Sequence, residues 1–221
     1  MNMSESPCFE LAAALFSLLG EPVPHDPSAN AEAVTLRERL QDEDCVLQKA
    51  LELCGTPQTP AQFYLCTKLC SWLGRECGEL TIQYARDYLA SSGWEAVEGG
   101  AVENRGVTVD RSASVRAGIL ADLARAYAGE QKYEKACASY LRAYETEPSN
   151  VNYAIEVSNA LVLSGRLKEA LDFLNHQKQS PYYREVKYRD QNGKIRYNSD
   201  FRDLLERQIV CLQSRLKRFG K

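Results

Sequence analysis

Eight cysteines and two histidines are the side chains of this 221-residue chain best suited to metal binding, redox work or nucleophilic attack. Cys66, Cys70 and Cys77 form the only tight group; Cys8, Cys45, Cys54, Cys137 and Cys211 are scattered. Zinc sites take cysteine pairs spaced C-x2-C or C-x4-C, doubled and set on turns. Cys66 and Cys70 instead sit four apart within a helical pattern, which places them on one helix face. Cysteine packs as a small hydrophobe, and a chain this long does not need disulfides to hold a core. The cysteines are therefore expected to be reduced thiols. His25 lies among prolines and His176 near the end of a helical pattern, and both are expected to be solvated. Gly99, Gly100 and Gly106 lack the spacing and the lysine of a phosphate-binding loop, and no G-x4-G-K-[ST], H-E-x2-H or G-x-S-x-G motif occurs. The expectation is a non-enzymatic chain with no catalytic residues, no metal ligands and no cofactor.

Composition agrees with a globular protein. The chain is 44% hydrophobic and 26% charged, with a formal charge of −3. No run approaches eighteen apolar residues, so no membrane span is expected. Charge is unevenly spread: positions 184–221 hold 11 basic and 5 acidic side chains, whereas positions 1–183 hold 16 basic and 25 acidic. The apolar stretch Leu11–Leu19 follows Glu5 and Glu10, with no Lys or Arg before Arg37 and no A-x-A site after it. A secretory leader needs a positive start, so a cytoplasmic protein is expected. Ser6 to Leu19 reads as a buried helix, with Ser6 as N-cap, Pro7 as first residue and Gly20 as its stop.

A repeat organises the second half. The first copy runs Leu120-x2-Leu123-Ala124-x2-Tyr127, then Ala136-x3-Tyr140-x2-Ala143 and Pro148. It returns at a constant offset as Ala154-x2-Val157-Ser158-x2-Leu161, then Ala170-x3-Leu174, with Pro181 closing. Large residues at helical spacing form the stripe of a first helix. Small Ala124, Ser158, Ala136 and Ala170 let a second helix approach closely. Gly165 is suited to end the first helix of the later unit, and Gly129 that of the earlier one, two positions out of register. With its period of about 34 residues, this pattern resembles the tetratricopeptide repeat, a helix–turn–helix unit. The resemblance implies an all-α, right-handed solenoid of helical hairpins with repeats at 115–148 and 149–182.

Such units bury their faces only by stacking, so the flanks are expected to be helical as well. Residues 1–30 read as an N-terminal helix and a proline-rich linker, and 31–221 as the solenoid. Within 31–90, Ala31–Cys54 reads as one helix or as two broken at Asp42-Glu43-Asp44. Pro60–Leu73 and Glu76–Ala90 form a degenerate hairpin turning at Gly74. Residues 91–112 are expected to be a loop. After Pro181 the period changes to two, and Asn192-Gly193 between the runs predicts a β-hairpin over 184–198 with a type I′ turn. That turn would set Tyr188 opposite Tyr197. Residues 199–219 read as a capping helix with the stripe Phe201, Leu204, Leu205, Ile209, Leu212, Leu216 and Phe219, acidic residues early and basic ones late.

By the resemblance, the first helix of each unit lines a concave face. The groove residues would be Ala121, Arg125 and Ala128, then Ile155, Asn159 and Val162. Arg125 and Asn159 share one repeat position, and together suit a carboxylate fork and a peptide backbone. Asp122 and Glu156 stand where chaperone-tail-binding members carry basic or amide groups, which favours a neutral or mixed-charge ligand. The implied function is a non-catalytic scaffold or adaptor holding a peptide or a protein helix. Two alternatives are a nucleic-acid-associated regulator using the basic C-terminal unit and a helical regulatory subunit of an enzyme assembly.

Overall fold

The computed structural model describes residues 6–20, 23–91 and 101–219. It is mostly helical, with two small antiparallel hairpins. The chain divides into two compact units, 1–94 and 95–221, and the N-terminal helix lies in the first.

The first unit contains α1 (Pro7–Ser17), α2 (Asn30–Arg37), α3 (Glu43–Cys54), α4 (Pro60–Leu73) and α5 (Gly78–Ala90). Each of three starts is written in its cap. Ser6 accepts from the Phe9 N–H, Asp42 from the Cys45 N–H, and Thr59 and Gln62 form a reciprocal capping box with Pro60 in the first turn. The break between α2 and α3 falls just before Glu43, which settles the choice between one helix and two. The last helix starts at Gly78 and not Glu76, because a 3-10 turn occupies Gly74–Cys77.

Helix α1 is buried almost all round and packs on α2 and α3. Leu15 and Phe16 are fully buried, and the Phe16 ring meets Trp72 edge-on at 5.2 Å. His25 is half-buried and not solvated as expected: its ring nitrogens lie 2.7 Å from the Val23 carbonyl and 2.8 Å from Asn30 Oδ1. It fastens the turn between α1 and α2.

All eight cysteines are free thiols. The adjacent Cys54 thiol and burial push Cys66 up, and burial with the Cys77 thiol nearby pushes Cys70 up. Both therefore stay protonated and inert. In the native protein a thiol reagent should label exposed Cys8 and Cys211 first, and buried Cys54, Cys66 and Cys70 only on unfolding. The total in denaturant without reductant should be eight; a total near zero would overturn the reduced state.

The second unit contains strands β1 (Ala101–Asn104) and β2 (Val107–Asp110), helices α6 (Arg111–Gly129), α7 (Tyr133–Thr146), α8 (Val151–Leu163) and α9 (Leu167–His176), strands β3 (Val186–Arg189) and β4 (Ile195–Asn198), and helix α10 (Asp200–Phe219). Consecutive helices pack on one another, and α10 packs on α9 and α8. The small residues sit at the crossings: Ala124, Ala136, Ser158 and Ala170 are all fully buried. Phe201, Leu205, Ile209 and Leu212 seat α10, while Leu204 and Leu216 are only half-buried. The side chain of Phe219 lies outside the described residues.

The repeat extends to the backbone. In the earlier unit the Glu130, Gln131, Lys132 and Ala136 N–H groups donate to the carbonyls of Ala126, Ala128, Tyr127 and Lys132. One period later Ser164, Gly165, Arg166 and Ala170 donate to Ala160, Val162, Leu161 and Arg166, position for position. Both first helices thus end in a Schellman motif, whose penultimate position is left-handed. That position is Gly165 (φ 76°) in the later unit and Gln131 (φ 58°) in the earlier one. Helix α6 ends at Gly129 as expected, but the left-handed step comes two residues later, at Gln131. A residue with Cβ is strained in this region. Gln131→Gly should therefore stabilise the fold by about 1 kcal/mol, read as a raised urea midpoint; a lowered midpoint would contradict this account.

Two expectations for the hairpins need correction. Residues 91–112 are not simply a loop: β1 and β2 pair, and α6 begins at Arg111; residues 92–100 lie outside the described residues. The type I′ geometry occurs here, at Arg105-Gly106, where both residues have positive φ (48° and 76°). The second hairpin forms, but Tyr188 faces Arg196, and Tyr197 faces Lys187. Beyond the last strand pair the Asp190 N–H donates to the Lys194 carbonyl at 3.0 Å, which leaves a three-residue loop, 191–193, with only Gly193 left-handed. Asp190 causes the slip: its Oδ1 accepts from the N–H groups of Asn192 and Lys194, at 3.0 and 2.9 Å. That Asx-type turn stabilises the wider loop over the two-residue one.

Candidate functional site

Helices α6 and α8 carry the six residues expected to line a groove. Ala121 is buried and offers a ligand nothing. Ala128, Ile155, Asn159 and Val162 are half-buried, and Arg125 is exposed. Arg125 turns back on its own helix, placing a guanidinium nitrogen 2.7 Å from Asp122 Oδ1; the Asp122 side chain is 5% exposed. Asn159 turns towards the terminal helix, where Gln208 Nε2 donates to its Oδ1 at 2.9 Å. Its own amide reaches Glu156 at 3.4 Å. Arg125 and Asn159 are thus each held by a different neighbour. Tyr140 lies in the same region. Burial pushes its hydroxyl up to about 12, with Glu156 and Asp122 adding and Arg125 opposing.

A second feature was missed at the sequence level. A cleft of about 470 Å³ opens between the two hairpins and the helix starts of the second unit. Its apolar wall includes Val107, Val109, Val151, Val186, Phe201 and Leu204, and Tyr182 packs on Phe201 with ring centroids 6.1 Å apart. Its polar lining includes Arg105, Arg184, Glu147 and Asp200, the asparagines 104, 150, 152 and 198, and Ser114 and Ser149. Residues of the first turns of α6, α8 and α10 border it.

Close packing of the hairpins shapes this cleft. A Cβ on Gly106 would lie 2.7 Å from Val186 Cγ1, so only glycine allows the β1–β2 turn to sit on β3. Arg105 pairs with Asp200 at 2.6 Å, and Asn198 Nδ2 donates to the Arg105 carbonyl at 3.3 Å. The alternation Val102, Val107 and Val109 around Arg105-Gly106 was the available signal for this wall.

Glu147 is the buried acid of the cleft, 6% exposed. Burial raises its pKa above the ordinary 4.5, against hydrogen bonds from Ser114 and Asn150. Among the described residues no group of three or more His, Cys, Asp and Glu converges. No family model matches the chain, and no curated protein matches its sequence.

The raised acid makes stability depend on pH. A carboxyl whose folded pKa exceeds its unfolded one favours the fold fully below the unfolded value, and that contribution is lost as pH rises through the folded value. Between pH 4.5 and 7 the melting temperature of Glu147→Gln should therefore rise relative to that of the parent. A constant difference, or the opposite slope, would refute the burial account.

Proposed function

We propose that the chain is a non-catalytic, tetratricopeptide-like scaffold that binds a peptide or protein segment of neutral or mixed charge along α6 and α8. One observation carries this reading: the same four backbone hydrogen bonds close both helical hairpins, one period apart, around small residues that are fully buried. Such units build extended binding faces by stacking, and a right-handed stack is part of the proposal. Eight unpaired thiols favour a reducing, cytoplasmic setting. No described helix is long and apolar enough to cross a membrane.

On this reading Arg125 is the ligand-facing group, with a side chain 61% exposed despite its partner Asp122. Asn159 serves the contact between α8 and α10 through Gln208. The test begins with affinity capture on the purified chain, followed by binding of the recovered partner to variants. Arg125→Ala should weaken binding by about 1.5–3 kcal/mol with unchanged circular dichroism. Asn159→Ala should mainly lower the melting temperature. Undiminished affinity for Arg125→Ala, with the fold intact, would move the site off this face. A steep loss of affinity with salt would instead favour nucleic-acid binding by the basic C-terminal residues.

A further inference from the structure

The cleft beside the hairpins is formed by parts of the chain that the helical repeat does not explain, and its polar lining divides in two. One set maintains the fold. Arg105 is paired with Asp200, Asn198 bonds the Arg105 carbonyl and the Asp200 N–H, and Asn150 caps α8. The other set is Asn104, Asn152 and Arg184, all exposed, whose side chains make no hydrogen bond or ion pair among the described residues. These three surround an apolar wall that includes Val107, Val186 and Leu204.

Each unengaged group has a definite complement. A guanidinium grips a carboxylate through two parallel hydrogen bonds. A primary amide offers both donor and acceptor, which suits the N–H and C=O of an extended backbone. The aliphatic wall accepts a side chain of like character, and about 470 Å³ lies within the size of sites that enclose a compact ligand. Charge narrows the choice. Arg105 is neutralised by Asp200, which leaves Arg184 as the unpaired cation among the described lining residues. A nucleic-acid strand needs several phosphates neutralised together, whereas one carboxylate matches one guanidinium.

We propose that this cleft is a second binding site, for an extended peptide segment carrying a carboxylate and a neighbouring aliphatic side chain. The carboxylate bonds Arg184, the backbone bonds Asn104 and Asn152, and the aliphatic group rests on Val107, Val186 and Leu204. The site is separate from the α6 and α8 face and stands whether or not that face binds a partner.

The test uses the full chain and a phage-displayed library of random heptapeptides. Enriched peptides should combine Asp or Glu with Leu, Ile or Val. A synthesised winner, titrated by calorimetry, should bind Arg184→Glu at least about tenfold more weakly. It should also bind Asn152→Ala more weakly, and Arg125→Ala unchanged. Arg184 has no partner to lose among the described residues, so its variant retains the fold, checked by circular dichroism. Three results would overturn the proposal: no enrichment, enrichment of peptides without an acidic residue, or affinity indifferent to Arg184→Glu. Loss of binding in Arg125→Ala alone would assign the peptide to the α6 and α8 face, supporting the scaffold reading while rejecting the cleft.

Discussion

The second unit depends on helix backbones approaching closely at a few crossings. Ala124 and Ser158 on the first helices, and Ala136 and Ala170 on the second, place at most one heavy atom beyond Cβ between neighbouring backbones, and all four are fully buried. Larger side chains there would force helices apart and lose dispersion contacts along the whole interface. The larger residues then fill what the crossings leave open. Leu120 and Leu174 do so completely, and Tyr140 nearly so. Because the approach is set at the crossings, the turns must return the chain over a very short connection. The left-handed step at residues 131 and 165 achieves this in both hairpins.

The helices were legible because their signals are local. The cap at Ser6, prolines at first positions and an apolar stripe repeating every three to four residues each act within one turn. The small residues were legible because the period brings them back, Ala124 as Ser158 and Ala136 as Ala170. The hairpins were harder, since a turn is chosen by competition among side chains. Asn192-Gly193 carries a strong propensity for a two-residue turn, yet the Asp190 carboxylate captures two N–H groups and stabilises a three-residue loop. That shifts the pairing by one residue and sends Tyr188 and Tyr197 to opposite faces. Arg105-Gly106 is a weaker turn signal by composition. It is held in place by contacts remote in sequence, Asp200 and Asn198.

The same distinction governs the functional surfaces. The partner of Arg125 lies three residues earlier, so the Asp122 pair was open to inspection in the sequence. The partner of Asn159 is Gln208, 49 residues away on a helix whose stripe predicts burial but not which polar residue meets α8. Matching repeat positions was therefore a sound guide to which helix a residue occupies. It was a poor guide to whether that residue is free, because α10 binds to α8 and takes up one of the two positions.

The cleft arises from a geometric requirement of a different kind. A two-stranded hairpin buries too little to be stable alone, so each needs a surface to rest on. The two hairpins meet where the glycine at 106 removes the side chain that would hold them apart, and both sit near the starts of α6, α8 and α10. Among the described residues only one face of the second hairpin is covered. Val186 and Tyr188 lie against the first hairpin, while Ile195 and Tyr197 remain 42% and 61% exposed. Helix starts leave N–H groups without intrahelical partners, so the surroundings favour polar residues that can satisfy them. Asn150 and Asn198 serve that purpose through the N–H groups of Asn152 and Asp200. Their neighbours Asn104, Asn152 and Arg184 occupy the same ring with no such duty for their side chains among the described residues. The structural demand for polar groups at helix starts therefore accounts for part of the cleft lining, and the part it leaves unexplained is the part suited to a ligand.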